Sequence, residues 1–72
     1  MDKEALYKRI QTMIISSTNK PKHVALSSVK LAQLFGAKPI EVEKYIEEFV
    51  AEGRLKKSKL KEPPHSNIYL LP

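Results

Sequence analysis

Residues 27–53, SSVKLAQLFGAKPIEVEKYIEEFVAEG, decide the fold of this chain. The two serines at its start are suited to cap a helix, because a serine hydroxyl can accept a hydrogen bond from a free backbone N–H of the first turn. Gly36 is suited to end that helix, since glycine readily adopts the left-handed conformation found there. The stretch therefore predicts a short helix over residues 28–35. The apolar face predicted for this helix consists of Val29, Leu31, Ala32, Leu34 and Phe35.

A longer helix is predicted over residues 39–52, after a turn of three or four residues. Pro39 fits the first helical position, where the backbone N–H that proline lacks would have no partner. Gly53 marks the end of the helix. The residues spaced as one buried stripe are Val42, Ile46, Phe49 and Val50.

The flanking segments complete a small mixed domain. An apolar stripe at helical spacing predicts a first helix over residues 2–16, and it consists of Leu6, Ile10, Met13 and Ile14. A turn-rich connector leads to a short extended segment over residues 24–26. Two strands, over residues 54–60 and 68–71, are separated by a proline-containing loop and predict an antiparallel hairpin. The fold class is therefore α+β and mainly helical, with a single domain over residues 1–72.

This order of elements resembles the winged helix-turn-helix superfamily, and the resemblance covers nearly the whole chain. The segments that carry it are Ser27-Ser28, Phe35-Gly36-Ala37, Glu52-Gly53-Arg54-Leu55 and Ile68-Tyr69-Leu70. The resemblance implies a three-helix winged helix-turn-helix with a short strand and a C-terminal hairpin as its wing. Such domains most often bind duplex DNA, with the third helix in the major groove and the wing on the backbone or minor groove. The superfamily also includes protein-binding modules and ribosomal components, so the fold alone does not fix the function.

Composition excludes several classes of protein. The chain has 72 residues, a net charge of +5 and no cysteine, so it has neither disulfides nor thiolate metal sites. The two histidines, His23 and His65, do not have metal-ligand spacing, and we expect no metal and no cofactor. Neither a catalytic triad pattern nor a glycine-rich phosphate loop is present, so an enzyme is not expected. Without a long apolar run or a secretory signal, we expect a cytoplasmic protein with no membrane partner.

The charge is unevenly distributed along the chain. Residues 1–36 carry a net charge of +4, residues 37–53 carry −3 and residues 54–72 carry +4. A basic surplus favours an anionic partner, with duplex DNA first. The acidic third helix leaves three interpretations open: a solvated face, a docking surface for a basic protein, or contact between Glu41 and a cytosine amino group.

The candidate DNA-binding residues fall into three groups. At the start of the second helix they are Ser27, Ser28 and Lys30, and on the third helix they are Lys38, Ile40, Glu41 and Lys44. On the wing they are Arg54, Lys56, Lys57, Lys59, Lys61 and His65. The basic wing is the stronger candidate for phosphate contact. The resulting hypothesis is a DNA-binding regulator of transcription, of replication or of a mobile element.

Two other functions stay open. The chain is a protein-interaction module if Glu47 and Glu48 on the third helix dock a basic partner. It binds RNA or the ribosome if the basic wing makes a contact led by shape. A homodimer through the first helix, where Ile15 lies beside the buried stripe, is a further prediction.

Overall fold

The computed structural model describes all residues from Met1 to Pro72 and is a mainly helical α+β domain. Three helices are followed by a two-stranded antiparallel hairpin. The elements are α1 (Lys3–Ile15), α2 (Ser28–Phe35), α3 (Pro39–Ala51), β1 (Lys56–Lys59) and β2 (Asn67–Leu70). None of the helices has the length and apolar character needed to cross a lipid bilayer.

Helix α1 is one residue shorter at each end than predicted, because both terminal residues are caps. The side chain of Asp2 accepts a hydrogen bond of 2.9 Å from the backbone N–H of Glu4. Ser16 closes the helix, and its backbone N–H donates to the carbonyl of Thr12. The buried face of the helix consists of Leu6, Ile10 and Ile14.

Helix α2 has the predicted bounds, but its predicted apolar face was too wide. Gly36 has φ of +63° at its C-terminus, and the next N–H, of Ala37, returns to the carbonyl of Ala32 at 2.8 Å. Val29 is 54 % exposed and Leu34 is 57 % exposed. The five predicted positions span more than half of the helix circumference, and an eight-residue helix cannot turn all of them toward one core. Only Leu31 and Ala32 are buried.

Helix α3 begins at Pro39 as predicted and ends at Ala51, with Glu52 as its cap. Gly53 follows with φ of +76°, which allows the N–H of Arg54 to donate to the carbonyl of Phe49 at 2.8 Å. This is a Schellman ending, in which glycine takes the left-handed position. Of the predicted stripe, Val42, Ile46 and Phe49 are buried and Val50 is half-buried.

The predicted first hairpin strand, 54–60, is shortened to β1. Arg54 and Leu55 both donate their backbone N–H groups to the carbonyl of Phe49, so they belong to the helix ending and not to the strand. In the hairpin, Lys56 pairs with Leu70 and Lys59 pairs with Asn67. The predicted return strand, 68–71, is displaced by one residue, to β2.

The strand predicted over residues 24–26 is only a single bridge. The N–H of Val24 donates to the carbonyl of Tyr69 at 3.0 Å, and the N–H of Tyr69 donates back at 2.8 Å. Ala25 is exposed and the chain then enters the cap of α2, so no further pairing follows. This bridge places β2 between Val24 and β1, which makes β1 the outer edge of the hairpin.

One apolar core joins the three helices to the start of the hairpin. Its nine buried residues are Leu6, Ile10, Ile14, Leu31, Ala32, Val42, Ile46, Phe49 and Leu55. Tyr7, Phe35 and Tyr69 are partly buried and pack against it. The core packs α2 against α3 and anchors the chain before the hairpin through Leu55. Packing therefore sets the relative positions of the surfaces described next.

Candidate nucleic-acid interface

The two serines at the start of α2 are both occupied within the protein. Ser27 is the cap residue, and its hydroxyl accepts from the N–H of Lys30 at 3.3 Å. The hydroxyl of Ser28 donates to Oε1 of Glu43 at 3.1 Å. Ser28 therefore links α2 to α3 and is not a free phosphate donor, whereas the ammonium group of Lys30 is exposed.

The start of α3 presents the most exposed large hydrophobic side chain of the molecule. Ile40 is 73 % exposed and lies in the first turn of the helix. Lys38 is the cap residue but makes no side-chain capping bond, and Lys44 is exposed one turn after Ile40. Glu41 is half-buried in the same turn. This end of α3 can offer a large apolar side chain between two cations to a groove.

Strand β1, KKSK, is exposed at all four positions. Lys57 lies opposite Tyr69 and Lys59 lies opposite Asn67, so these two lysines share one face of the hairpin. Lys56 lies on the other face, opposite Leu70. None of the three lysines forms an ion pair, so their full charge is available to a partner.

The hairpin tip holds the last two predicted contacts. Lys61 is exposed in the loop. His65 adopts φ of +55°, and its N–H donates to the carbonyl of Glu62 at 3.0 Å. Its Nδ1 lies 3.1 Å from the carbonyl of Leu60, which leaves Nε2 as the ring nitrogen open to a partner.

Arg54 is not grouped with the hairpin lysines, although the sequence predicts it there. Its guanidinium makes a bidentate pair with Glu4 at 2.7 and 2.8 Å, and it lies 3.9 Å above the ring of Tyr7. The hydrogen bonds that Arg54 donates to Glu4 raise the pKa of Arg54 above its already high value, and they lower the pKa of Glu4. A guanidinium held in this way joins α3 and the hairpin to α1, and it is not free to contact a phosphate.

The acidic half of α3 is also partly engaged by α1. The ammonium group of Lys3 donates to Glu48 and to Glu52, both at 2.8 Å. These bonds lower the pKa of Glu48 and raise the pKa of Lys3. The negative charge at the C-terminal end of α3 is therefore partly offset within the protein itself.

Two carboxylates remain on the side of α3 that faces the hairpin. Glu43 and Glu47 line a cleft of about 230 Å³ together with Leu26, Ser28, Ile46 and Tyr69. The two carboxylates make this cleft unfavourable for an anion such as a phosphate. Glu43 is not among the candidate residues from the sequence, although its position beside Val50 on the helical wheel places it at the edge of the buried stripe.

The contacts between α1 and α3 had no signal in the sequence. Lys3 and Glu48 are separated by 45 positions, and Arg54 and Glu4 by 50. Such pairs follow only from the tertiary packing. The sequence showed the charges of these residues but not that they neutralise one another.

No protein-family model matches the chain, and no curated protein or solved structure matches it. Its function must therefore be inferred from the chemistry of its own surface.

Proposed function

We propose that this chain is a winged helix domain that binds duplex DNA, with the start of α3 at the major groove and β1 on the backbone. The element order, the short turn between α2 and α3, and the hairpin after α3 support this assignment. The isolated bridge from Val24 to Tyr69 lies where a short third strand is expected beside a wing.

The observation that carries the proposal is the distribution of unpaired cations. Of the 13 Lys and Arg residues, only Lys3 and Arg54 form ion pairs. The lysines of β1 and its flank stay free in a dense cluster, where several phosphates of one strand can be met together. Lysines also protect an exposed edge strand from aggregation, and β1 is such an edge. Three lysines among four strand residues, with Lys61 beyond them, exceed what that protection needs.

The carboxylates of α3 would repel DNA phosphates, and the pairing of Lys3 with Glu48 and Glu52 reduces this repulsion. A helix inserted by its N-terminal end brings Lys38, Ile40 and Lys44 to the groove, while its C-terminal carboxylates lie farther out and are partly offset by Lys3 and Arg54. Ile40 is suited to contact a thymine methyl group, and Glu41 to accept from a cytosine amino group. A regulatory role in transcription, in replication or in a mobile element is part of the same proposal.

The alternative of a module that docks a basic protein through Glu47 and Glu48 is weakened by the structure. Glu48 is bonded to Lys3, so only Glu47 of the predicted pair is free. An RNA target would use the same lysines as DNA, and nothing in the structure favours it over DNA. The homodimer through α1 stays a prediction, with Ile15 exposed at 52 %.

The first experiment is a titration of a labelled mixed-sequence duplex of about 20 base pairs, followed by fluorescence anisotropy at several salt concentrations. About four or five phosphate contacts give a slope of log K against log salt near −4 or steeper. The same titration with an RNA duplex separates the two nucleic acids, because tighter binding to RNA would reject the DNA proposal. Absence of binding at low salt would reject both.

The matching variant reverses two charges on one face of β1, Lys57→Glu with Lys59→Glu. We expect weaker binding to every sequence and a salt slope that is shallower by about two. The control is Lys8→Glu with Arg9→Glu, which changes the net charge equally but lies on α1. Equal losses in both variants would mean that only total charge matters and that β1 is not the contact surface.

A further inference from the structure

A second surface, separate from β1 and from the start of α3, lies between α1 and α2. It is a groove of about 430 Å³, lined by Arg9, Met13, Ala25, Ser27, Lys30, Leu31 and Leu34. Its floor is Leu31, which belongs to the core. Met13 forms the α1 wall and is half-buried, and Leu34 forms the α2 wall and is 57 % exposed.

The groove is apolar on its α2 side because the apolar residues of α2 extend beyond the part of the helix that the core covers. Leu31 and Ala32 are buried in the core, whereas Leu34, one turn after Leu31, lies at the edge of that buried face. Leu34 is 57 % exposed, so much of its side chain is open to solvent at the groove. Met13 on the opposite wall is unbranched and can adjust to fit an incoming side chain.

The charged residues that line the groove are all basic. Arg9 on α1 and Lys30 on α2 stand at its walls, and neither forms an ion pair. Residues 5–40, which supply α1 from Ala5 onward, the connector and α2, contain six Lys or Arg residues and no Asp or Glu. The groove therefore combines an apolar floor with cations that have no internal partner, and an occupant that satisfies both must be apolar and negatively charged.

We propose that this groove binds a segment of a partner protein that inserts one or two bulky apolar side chains and carries carboxylates on both flanks. The apolar side chains would pack between Met13 and Leu34, and the carboxylates would pair with Arg9 and Lys30. An amphipathic acidic helix has this chemistry. Duplex DNA fits this groove less well, because its outer surface presents phosphates and its exposed thymine methyl groups lie inside the major groove. Lys30 belongs both to this groove and to the proposed DNA contact, so the two partners would compete for it.

The test uses a synthetic amphipathic peptide as the probe, with Leu at helical spacing and Glu and Ala at the other positions. Two matched peptides carry Lys in place of Glu, or Ser in place of Leu. Binding to the full chain is followed by shifts of backbone amide signals in NMR titrations. We expect saturable binding of the Glu-Leu peptide, with the largest shifts at residues lining the groove. Binding of the other two peptides should be at least about tenfold weaker, which corresponds to about 1.4 kcal/mol.

Matched variants of the chain locate the contact. Leu34→Ser and Arg9→Glu should each weaken the peptide about tenfold, which again is about 1.4 kcal/mol. The controls are Val29→Ser, which alters an equally exposed apolar residue on the opposite flank of α2, and Lys8→Glu, which alters a neighbouring cation outside the groove. Both controls should leave the dissociation constant within about twofold.

Several outcomes would overturn the proposal. They are absence of saturable binding, equal binding of the Lys-Leu peptide, and equal losses in Val29→Ser and Leu34→Ser. Sedimentation that shows self-association abolished by Leu34→Ser would mean that a second copy of the chain occupies the groove. Shifts at Met13 and Leu34 caused by the DNA duplex in place of the peptide would mean that nucleic acid occupies it. Duplex affinity of the Leu34→Ser variant reports on the DNA proposal separately, since Leu34 has no part in that contact.

Discussion

The junction of α1 with α3 and the strand β1 use the same charged residue types in opposite ways. At the junction, Lys3 and Arg54 are bound to three glutamates from the same chain. On β1, Lys56, Lys57 and Lys59 have no acidic partner. A cationic residue therefore indicates a binding surface only after its internal partners have been identified, because net charge alone does not distinguish these two regions.

The difference arises from the surface beneath the charges. At the junction, the rings of Tyr7 and Phe49 meet edge to face with centroids 5.2 Å apart, and the charged heads of Lys3 and Arg54 lie over them. The hydroxyl of Tyr7 also donates to the carbonyl of Arg54 at 3.2 Å. This aromatic platform holds the cations in place for the carboxylates. Strand β1 has no such platform, and its lysines extend into solvent.

The largest effect on the junction of α1 with α3 is expected from removing the aromatic platform. Phe49→Ala deletes a fully buried ring and should lower the free energy of unfolding by about 3–5 kcal/mol. Denaturation by urea, followed by circular dichroism, measures the change. Lys57→Ala on β1 is the control, and it should change that free energy by no more than about 0.5 kcal/mol. A small effect of Phe49→Ala would show that the junction does not depend on its core ring.

A second pair of variants separates stability from binding. Arg54→Ala removes the bidentate pair with Glu4 and should lower the melting temperature, by less than Phe49→Ala, while duplex affinity stays close to that of the wild type. Lys56→Ala, only two positions later, should weaken duplex binding and leave the melting temperature close to that of the wild type. Melting curves and anisotropy titrations on both variants check this. If Arg54→Ala weakened DNA binding as much as Lys56→Ala without loss of stability, Arg54 would have to be returned to the binding surface.

The smallest effect is expected from pH. The pKa values of Glu4 and Glu48 are lowered by Arg54 and Lys3, so both groups stabilise the fold above the usual glutamate pKa of about 4.3. That contribution is lost as pH falls through their lower folded pKa values. Melting temperatures between about pH 7 and pH 2 should thus fall less steeply in a Glu4→Gln, Glu48→Gln variant than in the wild type.

At alkaline pH, the stability of the fold should decrease as pH rises. The pKa of Lys3 is raised by Glu48 and Glu52, so its contribution is present below the usual lysine pKa of about 10.4 and is lost as pH rises through the higher folded value. Salt should diminish both effects, because these side chains are partly exposed. Identical acid profiles for the wild type and the double Gln variant would show that the pairs are not formed in solution.

Local signals in the sequence predicted the helices well. Ser27, Gly36, Pro39 and Gly53 act through backbone chemistry within one turn, so the bounds of α2 and the start of α3 follow from these residues alone. The length of β1 could not be predicted in the same way. The N–H groups of Arg54 and Leu55 bond to the carbonyl of Phe49 at the end of α3, so these two residues are not free to pair in a strand.

The candidate site was less predictable than the helices. The exposed lysines of β1 follow from the sequence, since four consecutive residues with three lysines have no apolar side to bury. The loss of Arg54 from that group did not follow, because its partner Glu4 lies 50 positions away. The groove beside Leu34 was missed because all five apolar residues of α2 had been assigned to one buried face.

The separation between Glu4 and Arg54 also has a consequence for synthesis of the chain. Helix α1 is made first, but the residues that hold it, from Glu48 to Arg54, follow 45 to 50 positions later. At about 5–20 residues per second, a ribosome needs roughly 2–10 s to supply them. Until those residues are made, the apolar face formed by Leu6, Ile10 and Ile14 lacks part of the cover that α3 and Leu55 give it in the finished domain.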